Sequence, residues 1–117
     1  MRASIRSLMS LDVDDLDGWA PESESWELGL QIVAGPDDGL GEESFDLTVC
    51  SPARLIERLD HEGICDGRHH LIVEEYDWSS LRAYIERRVQ QCEGATWREV
   101  AMKLSRLGHW EFEDYRP

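Results

Sequence analysis

The strictest constraint on this chain is a period of two that occurs twice, on either side of a turn. Trp26, Leu28, Leu30 and Ile32 alternate with Glu27, Gly29 and Gln31; Phe45, Leu47 and Val49 alternate with Asp46 and Thr48. Successive strand side chains point to opposite faces, so this pattern describes half-buried strands. Gly35-Pro36-Asp37-Asp38-Gly39 lies between them and reads as a turn. The two strands are therefore expected to form an antiparallel hairpin. Its open face would carry Glu27, Gln31, Asp46 and Thr48.

The remaining elements are arranged around that hairpin. Ala3 to Leu11 reads as a first strand with Ala3, Ile5 and Met9 as its apolar positions. Asp12 to Ser25 is a polar loop, with room for a helical turn around Asp14–Leu16. Ser51 precedes Pro52, a hydroxyl cap followed by the residue that tolerates a helix start best. The helix that follows has Leu55, Ile56 and Leu59 as its stripe and Gly63 as its end. His70 to Tyr76 contains Leu71-Ile72-Val73, apolar on both faces, and reads as a central strand. Asp77 caps a second helix with Leu81, Tyr84, Ile85, Val89 and Cys92 on one face, stopped by Gly94. Thr96-Trp97-Arg98-Glu99 has the capping-box pattern. It opens a third helix with Trp97, Val100, Ala101, Leu104 and Leu107 inward, ended by Gly108. The tail, His109 to Tyr115, alternates again.

The order is β-β-β-α-β-α-α with an extended tail. Strands joined by hairpins come first and helices later, which predicts an α+β fold: a mostly antiparallel sheet with helices packed on one face. With 117 residues, 41% hydrophobic and five tryptophans, the chain is expected to be a single domain, 1–117, able to bury one core.

Charge is the second strong signal. Twelve of the 25 acidic residues lie in Met1–Cys50, against Arg2 and Arg6, so that segment carries −10 of the net −13. Arg82, Arg87, Arg88, Arg98, Lys103 and Arg106 gather instead on the two C-terminal helices. Such a balance argues against nucleic acid, which requires cations to neutralise phosphates, and against anionic membrane surfaces. No apolar run approaches the roughly 18 residues of a spanning helix. Met1-Arg2-Ala3-Ser4-Ile5-Arg6 lacks the apolar stretch of a signal peptide. Cys50, Cys65 and Cys92 are odd in number and form no CxxC, as expected of reduced thiols in a cytoplasmic protein.

Several constellations could carry chemistry. Cys65-Asp66-Gly67-Arg68-His69-His70 holds metal-ligating types, which Cys92 and His109 could join. Structural zinc usually takes four ligands in paired short spacings, and here there is one short cluster. The alternative is a turn at Asp66-Gly67, a core cysteine and histidines in local hydrogen bonds. Glu74, Glu75, Asp77, Glu111, Glu113 and Asp114 could supply an acid and a base beside His69 or His70. Adjacent strand residues point apart, however, so Glu74 and Glu75 are not expected to share a pocket. No GxSxG elbow is present, and Asp37, Asp38, Glu42 and Glu43 around Gly39-Leu40-Gly41 would repel phosphate. No catalytic residue, cofactor or metal is assigned.

The acidic loops are the remaining candidates. Asp12, Asp14, Asp15, Asp17, Glu22 and Glu24 in the first loop, with Asp37, Asp38, Glu42 and Glu43 in the second, form either a solvated face or a surface for a basic protein partner. Trp19 and Trp78, at loop and cap positions, are the expected exposed anchors, since tryptophan is enriched at binding hot spots.

Four stretches in combination carry a resemblance. They are Gly41-Glu42-Glu43-Ser44-Phe45-Asp46-Leu47-Thr48-Val49-Cys50-Ser51-Pro52, Gly67-Arg68-His69-His70-Leu71-Ile72-Val73, Trp97 with Glu99, and Trp110-Glu111-Phe112-Glu113-Asp114-Tyr115. Together they resemble the immunity protein 8 family of bacterial polymorphic toxin systems over most of the chain. The resemblance implies an α+β fold and a protein that binds and neutralises the C-terminal domain of a cognate secreted toxin. It implies no catalytic residues and does not name the toxin. Two other classes stay open: a small metal-binding or hydrolytic protein using Cys65, His69 and His70, and a general interaction domain.

Overall fold

A computed structural model describes residues 1–113. The elements are β1 (Ala3–Met9), β2 (Glu27–Pro36), β3 (Glu43–Cys50), α1 (Pro52–Glu62), β4 (His70–Ile72), α2 (Trp78–Gln90), α3 (Trp97–Leu104) and β5 (His109–Trp110). The strand order is β1-β2-β3-β4, with β5 also paired to β3. The pairs β1/β2, β2/β3 and β3/β5 are antiparallel, while β3/β4 is parallel because α1 carries the chain back between them. The α+β class holds, with a mixed sheet.

The alternation in β2 and β3 places Leu28, Leu30, Ile32, Ala34, Phe45, Leu47 and Val49 on one buried face. Against it pack Leu81, Ile85 and Val89 of α2 and Val100, Ala101 and Leu104 of α3. Leu107 and Trp110 close the same core.

In β1 the phase slips. The register pairs Ile5 with Ala34, then Ser7 with Val33 and Leu8 with Ile32. This bulge brings Leu8 to the core in place of Met9, which is exposed. A bulge re-aims every later side chain, and strict alternation cannot reveal it.

At the turn, β2 continues through Gly35 and Pro36, and the chain reverses after them. A Cβ on Gly35 would stand 2.0 Å from the Gly41 carbonyl oxygen, and Gly41 has φ +103. One glycine permits the close approach and the other the left-handed backbone.

Helix α1 departs furthest from expectation. Ser51 caps it, accepting the Arg54 N–H at 3.2 Å, and also accepts the Trp26 N–H at 3.1 Å. Gly63 (φ +74) ends it. No residue of α1 is buried, however, and Ile56 and Leu59 are 59% and 40% exposed. The helix is tied to the sheet through Arg54 on Glu27 (2.8 Å) and Arg58 on His70 (3.0 Å). Glu27 alternates with buried Leu28, and His70 pairs with Thr48, so both belong to the face away from α2 and α3. Helices therefore do not all pack on one face. The amphipathic stripe is real, but the side of the sheet that α1 reaches offers it charged and polar partners.

Three further boundaries differ. β4 is a three-residue edge strand, not a central one, and Ile72 is 53% exposed. Helix α2 ends at Gln90, short of Gly94; a Cβ at Gly94 would meet Glu99 Cβ at 2.8 Å, so this glycine serves close packing. Helix α3 ends at Leu104, and Gly108 instead lies against Phe45, 3.0 Å from where its Cβ would be. The tail forms β5 at His109–Trp110, while Asp114 and Tyr115 lie outside the described residues. Among the described residues no helix is long and apolar enough to cross a membrane.

Candidate functional site

The first acidic loop is built on a small aromatic platform. Trp19, Trp26 and Tyr76 meet edge to face, with centroids 4.7 to 5.7 Å apart. Such pairing adds to the apolar area that the rings bury. The Tyr76 hydroxyl donates to the Leu16 carbonyl, and Leu16 is buried beneath the loop. Burial, with Asp17 and Asp15 nearby, pushes the Tyr76 phenol above its ordinary pKa.

Two acids of this loop shape it. Asp12 accepts the Gly29 N–H at 2.7 Å, beyond the point where β1 leaves β2. Asp15 accepts the Gly18 N–H at 3.1 Å, and a Cβ on Gly18 would strike that carboxylate at 2.4 Å. Asp14, Asp17, Glu22 and Glu24 are exposed. Among the described residues no ion pair reaches any of these six acids. Arg82, which lines a hollow with Asp14, Asp15, Asp17 and Trp78, is itself paired with Glu86 at 2.8 Å.

The chain also delivers two acids from elsewhere. Glu74 and Glu75 line one open hollow of about 610 Å³ with Glu22, Glu24, Trp26 and Tyr76. The expectation that these neighbours do not share a pocket fails because β4 stops at Ile72, its pairing ends with the Val73 N–H, and strand geometry no longer governs residues 74–77. Weighed in sequence only as a hydrolytic pair, they extend the acidic surface of the first loop. The signal available was the abrupt change from Leu71-Ile72-Val73 to Glu74-Glu75, which marks a strand end.

The second acidic loop is elsewhere. Met9 pairs with Gln31 and Asp37 follows the end of β2, so the loops leave opposite ends of the hairpin. Glu22 and Glu24 lie with Trp26 at the start of β2, and Asp37 follows its end. Asp14, Asp15 and Asp17 fold back beside Ile5, Arg6, Ser7 and Leu8 of β1. Asp37 accepts the Arg2 N–H at 3.3 Å, and Arg6 donates to the Pro36 and Gly39 carbonyls at 2.7 and 3.0 Å. Glu43 accepts the Trp97 indole N–H at 2.7 Å. Asp38 and Glu42 are exposed.

The two tryptophans expected as exposed anchors are half-buried. Trp19 belongs to the aromatic platform, and Trp78 opens α2 and packs against the core. Asp77 does not cap α2 with its side chain; it accepts the Ser80 hydroxyl at 2.6 Å.

The histidines of the other candidate cluster are engaged in hydrogen bonds. Arg58 donates to His70 Nε2, so His70 Nδ1 carries the hydrogen and donates to the Arg68 carbonyl at 2.7 Å. His69, in left-handed backbone (φ +61), donates through Nε2 to the Ser105 carbonyl at 2.7 Å. Among the described residues no group of three or more His, Cys, Asp or Glu is gathered as a metal site. Glu113 is ion-paired with Arg68. All three cysteines are free, and burial raises the thiol pKa of Cys50 and Cys92.

A family model described as immunity protein 8 matches residues 3–115, nearly the whole chain. Comparison with curated proteins and with solved structures gives no match.

Proposed function

The chain belongs to the immunity protein 8 family, and we propose that it binds and neutralises the toxin domain encoded beside it by setting its acidic end against a basic toxin face. The observation that carries this reading is the gathering of Glu22 and Glu24 with Glu74 and Glu75 in one hollow beside Trp26 and Tyr76, with Asp15 and Asp17 of the same loop also acting on Tyr76 and Asp14 beside them in a second hollow. Unpaired carboxylates at one end of a chain carrying −13 steer a cationic partner toward that end and raise the encounter rate. Rings already fixed against each other lose little freedom on binding.

Inhibition is then by occlusion. A toxin that acts on nucleic acid needs a basic cleft for phosphates, and an acidic surface seated there excludes the substrate. A stable complex would bury about 1,600 Å² in total. The protein acts as a stoichiometric inhibitor in the cytoplasm of the producing cell, without turnover or cofactor. Asp12 and Asp15 serve by shaping the loop as well as by charge. Asp37, Asp38, Glu42 and Glu43 are secondary contacts, because the second loop leaves the other end of the hairpin; Trp78, beside Asp14, Asp15 and Asp17, is a half-buried contact of the first loop.

The test is co-expression with the C-terminal domain encoded immediately upstream, in a bacterium sensitive to it. Rescue of growth with co-purification of a complex is the expected result. Continued killing by an active toxin domain, with this protein folded and expressed, would exclude the proposal.

A further inference from the structure

β4 ends the strand order, and among the described residues only one of its edges is paired. Val73 donates its N–H to the Cys50 carbonyl at 2.9 Å, so Val73, like Leu71 two residues before it, turns its backbone toward β3. Ile72 falls between them, and its N–H and C=O point the other way. Natural edges are usually blunted by shortness, charge, Pro or a bulge. His70-Leu71-Ile72 is short but holds no Lys, Pro or bulge, and the Ile72 side chain is half exposed.

A groove of about 400 Å³ runs beside this edge, lined by Leu71, Ile72, Val73, Leu81 and Tyr84. One end is acidic, with Glu75 and Asp77. Beyond the other end the Tyr84 ring is flanked by the Arg87 and Arg88 guanidinium groups, 5.6 and 5.9 Å from its centroid. Glu75 also lines the acidic hollow of the first loop, so the groove and the acidic end form one continuous surface.

We infer that β4 is a strand-addition edge for the bound toxin domain. An extended toxin segment pairs with the Ile72 backbone, lays an apolar side chain against Leu81 and Tyr84, and sets a cation beside Glu75 and Asp77. Main-chain pairing of this kind supplies affinity while the groove selects alternate side chains. Net charge selects the occupant: a second copy would bring another −13 to this surface, whereas a cationic toxin segment meets Glu75 and Asp77. This inference rests on the immunity reading above and adds to it the mode of contact.

The test uses the intact chain and the C-terminal domain encoded immediately upstream. Hydrogen exchange read by NMR on the labelled chain should show the Ile72 amide slowed by about tenfold or more in the complex. Ile72→Pro removes the outward N–H and leaves the Val73–Cys50 bond; proline is tolerated at sheet edges. It should weaken binding by about tenfold, since paired backbone groups are lost at the contact. Unchanged Ile72 exchange in the complex would overturn the inference, and so would wild-type affinity of a folded Ile72→Pro chain. If Ile72→Pro does not fold, exchange in the unsubstituted chain decides alone. Absence of any complex would defeat the immunity reading together with this one. A complex weakened by charge reversal at Asp14, Asp17, Glu22 and Glu24, but with Ile72 exchange unaltered, would defeat the edge alone.

Discussion

The two acidic loops have nearly the same composition and opposite circumstances. Residues 12–24 cross a cluster of three aromatic rings, and their charges meet no cation within ion-pair distance among the described residues. Residues 37–43 form a hairpin end fastened by Arg2, Arg6 and Trp97. Of the two basic residues of Met1–Cys50, Arg6 turns its guanidinium to the second loop, while the Arg2 guanidinium pairs with Glu93 and only the Arg2 backbone reaches Asp37. A count of charges treats the loops alike, whereas the hydrogen bonds assign one to the body of the protein and leave the other facing outward.

The largest effect should come from removing the platform under the first loop. Trp26 is 8% exposed and joins Trp19, Tyr76 and the core. Trp26→Ala should lower unfolding free energy by about 3–5 kcal/mol, measured by urea denaturation. A loss below about 0.5 kcal/mol, the ordinary surface range, would show that the platform does not hold the loop. The second loop is held instead by Trp97 through Glu43, and its Leu40 is fully exposed.

Next is the direct contrast of charge. Reversal of Asp14, Asp17, Glu22 and Glu24 to lysine should slow association with the toxin domain by about 10- to 100-fold at low salt and flatten the salt dependence. Reversal of Asp37, Asp38 and Glu42 should change the rate several-fold less. Stopped-flow association at two ionic strengths checks both. Equal effects from the two sets would erase the functional distinction between the loops.

Much of the fold was legible because burial dictates period. The alternation of β2 and β3, the Ser51 and Thr96 caps and the apolar faces of α2 and α3 follow from which side chains must leave water. What was not legible depends on contacts distant in sequence. The bulge that exchanges Met9 for Leu8 is set by pairing with β2. The exposure of Ile56 and Leu59 follows from the face of the sheet that α1 reaches. The candidate site was readable in part: acidic residues were evident, but only topology separates residues 12–24 from residues 37–43 and adds Glu74 and Glu75. Trp19 and Trp78 were misread because position in a loop or at a cap does not decide exposure when aromatic partners, for Trp19, or the core, for Trp78, lie within reach.

Smaller effects test the fastenings of each loop. Asp12→Ala removes the acceptor for the Gly29 N–H and should cost about 1 kcal/mol, while Asp12→Asn, which keeps an acceptor, should cost less. Arg6→Ala releases the Pro36 and Gly39 carbonyls and should cost about as much. The two differ in where flexibility appears. Amide exchange should rise at Gly29 in the first case and around Asp37–Gly41 in the second. Exchange rising in the same segment for both substitutions would mean that the loops are not independent.

The smallest effect concerns pH. Tyr76 has its pKa raised in the folded chain, first by burial and then by Asp17 and Asp15. The neutral phenol is therefore favoured by folding, and it also donates to the Leu16 carbonyl, a bond that the phenolate cannot make. The stabilisation is fully present below the unfolded pKa of about 10. It is lost as pH rises from there through the folded value, because the unfolded chain releases its proton first. Thermal unfolding between neutral pH and pH 11 should show an alkaline loss of stability that Tyr76→Phe reduces. The same substitution lowers stability at neutral pH by the missing hydrogen bond. Asp15→Asn with Asp17→Asn should move the alkaline midpoint down, since fewer negative charges then oppose the phenolate. Asp37→Asn with Asp38→Asn should leave it in place, because the charges that act on the Tyr76 phenol are Asp17 and Asp15. An alkaline transition that responds equally to both pairs would mean that the charge acts through the whole molecule and not through the first loop.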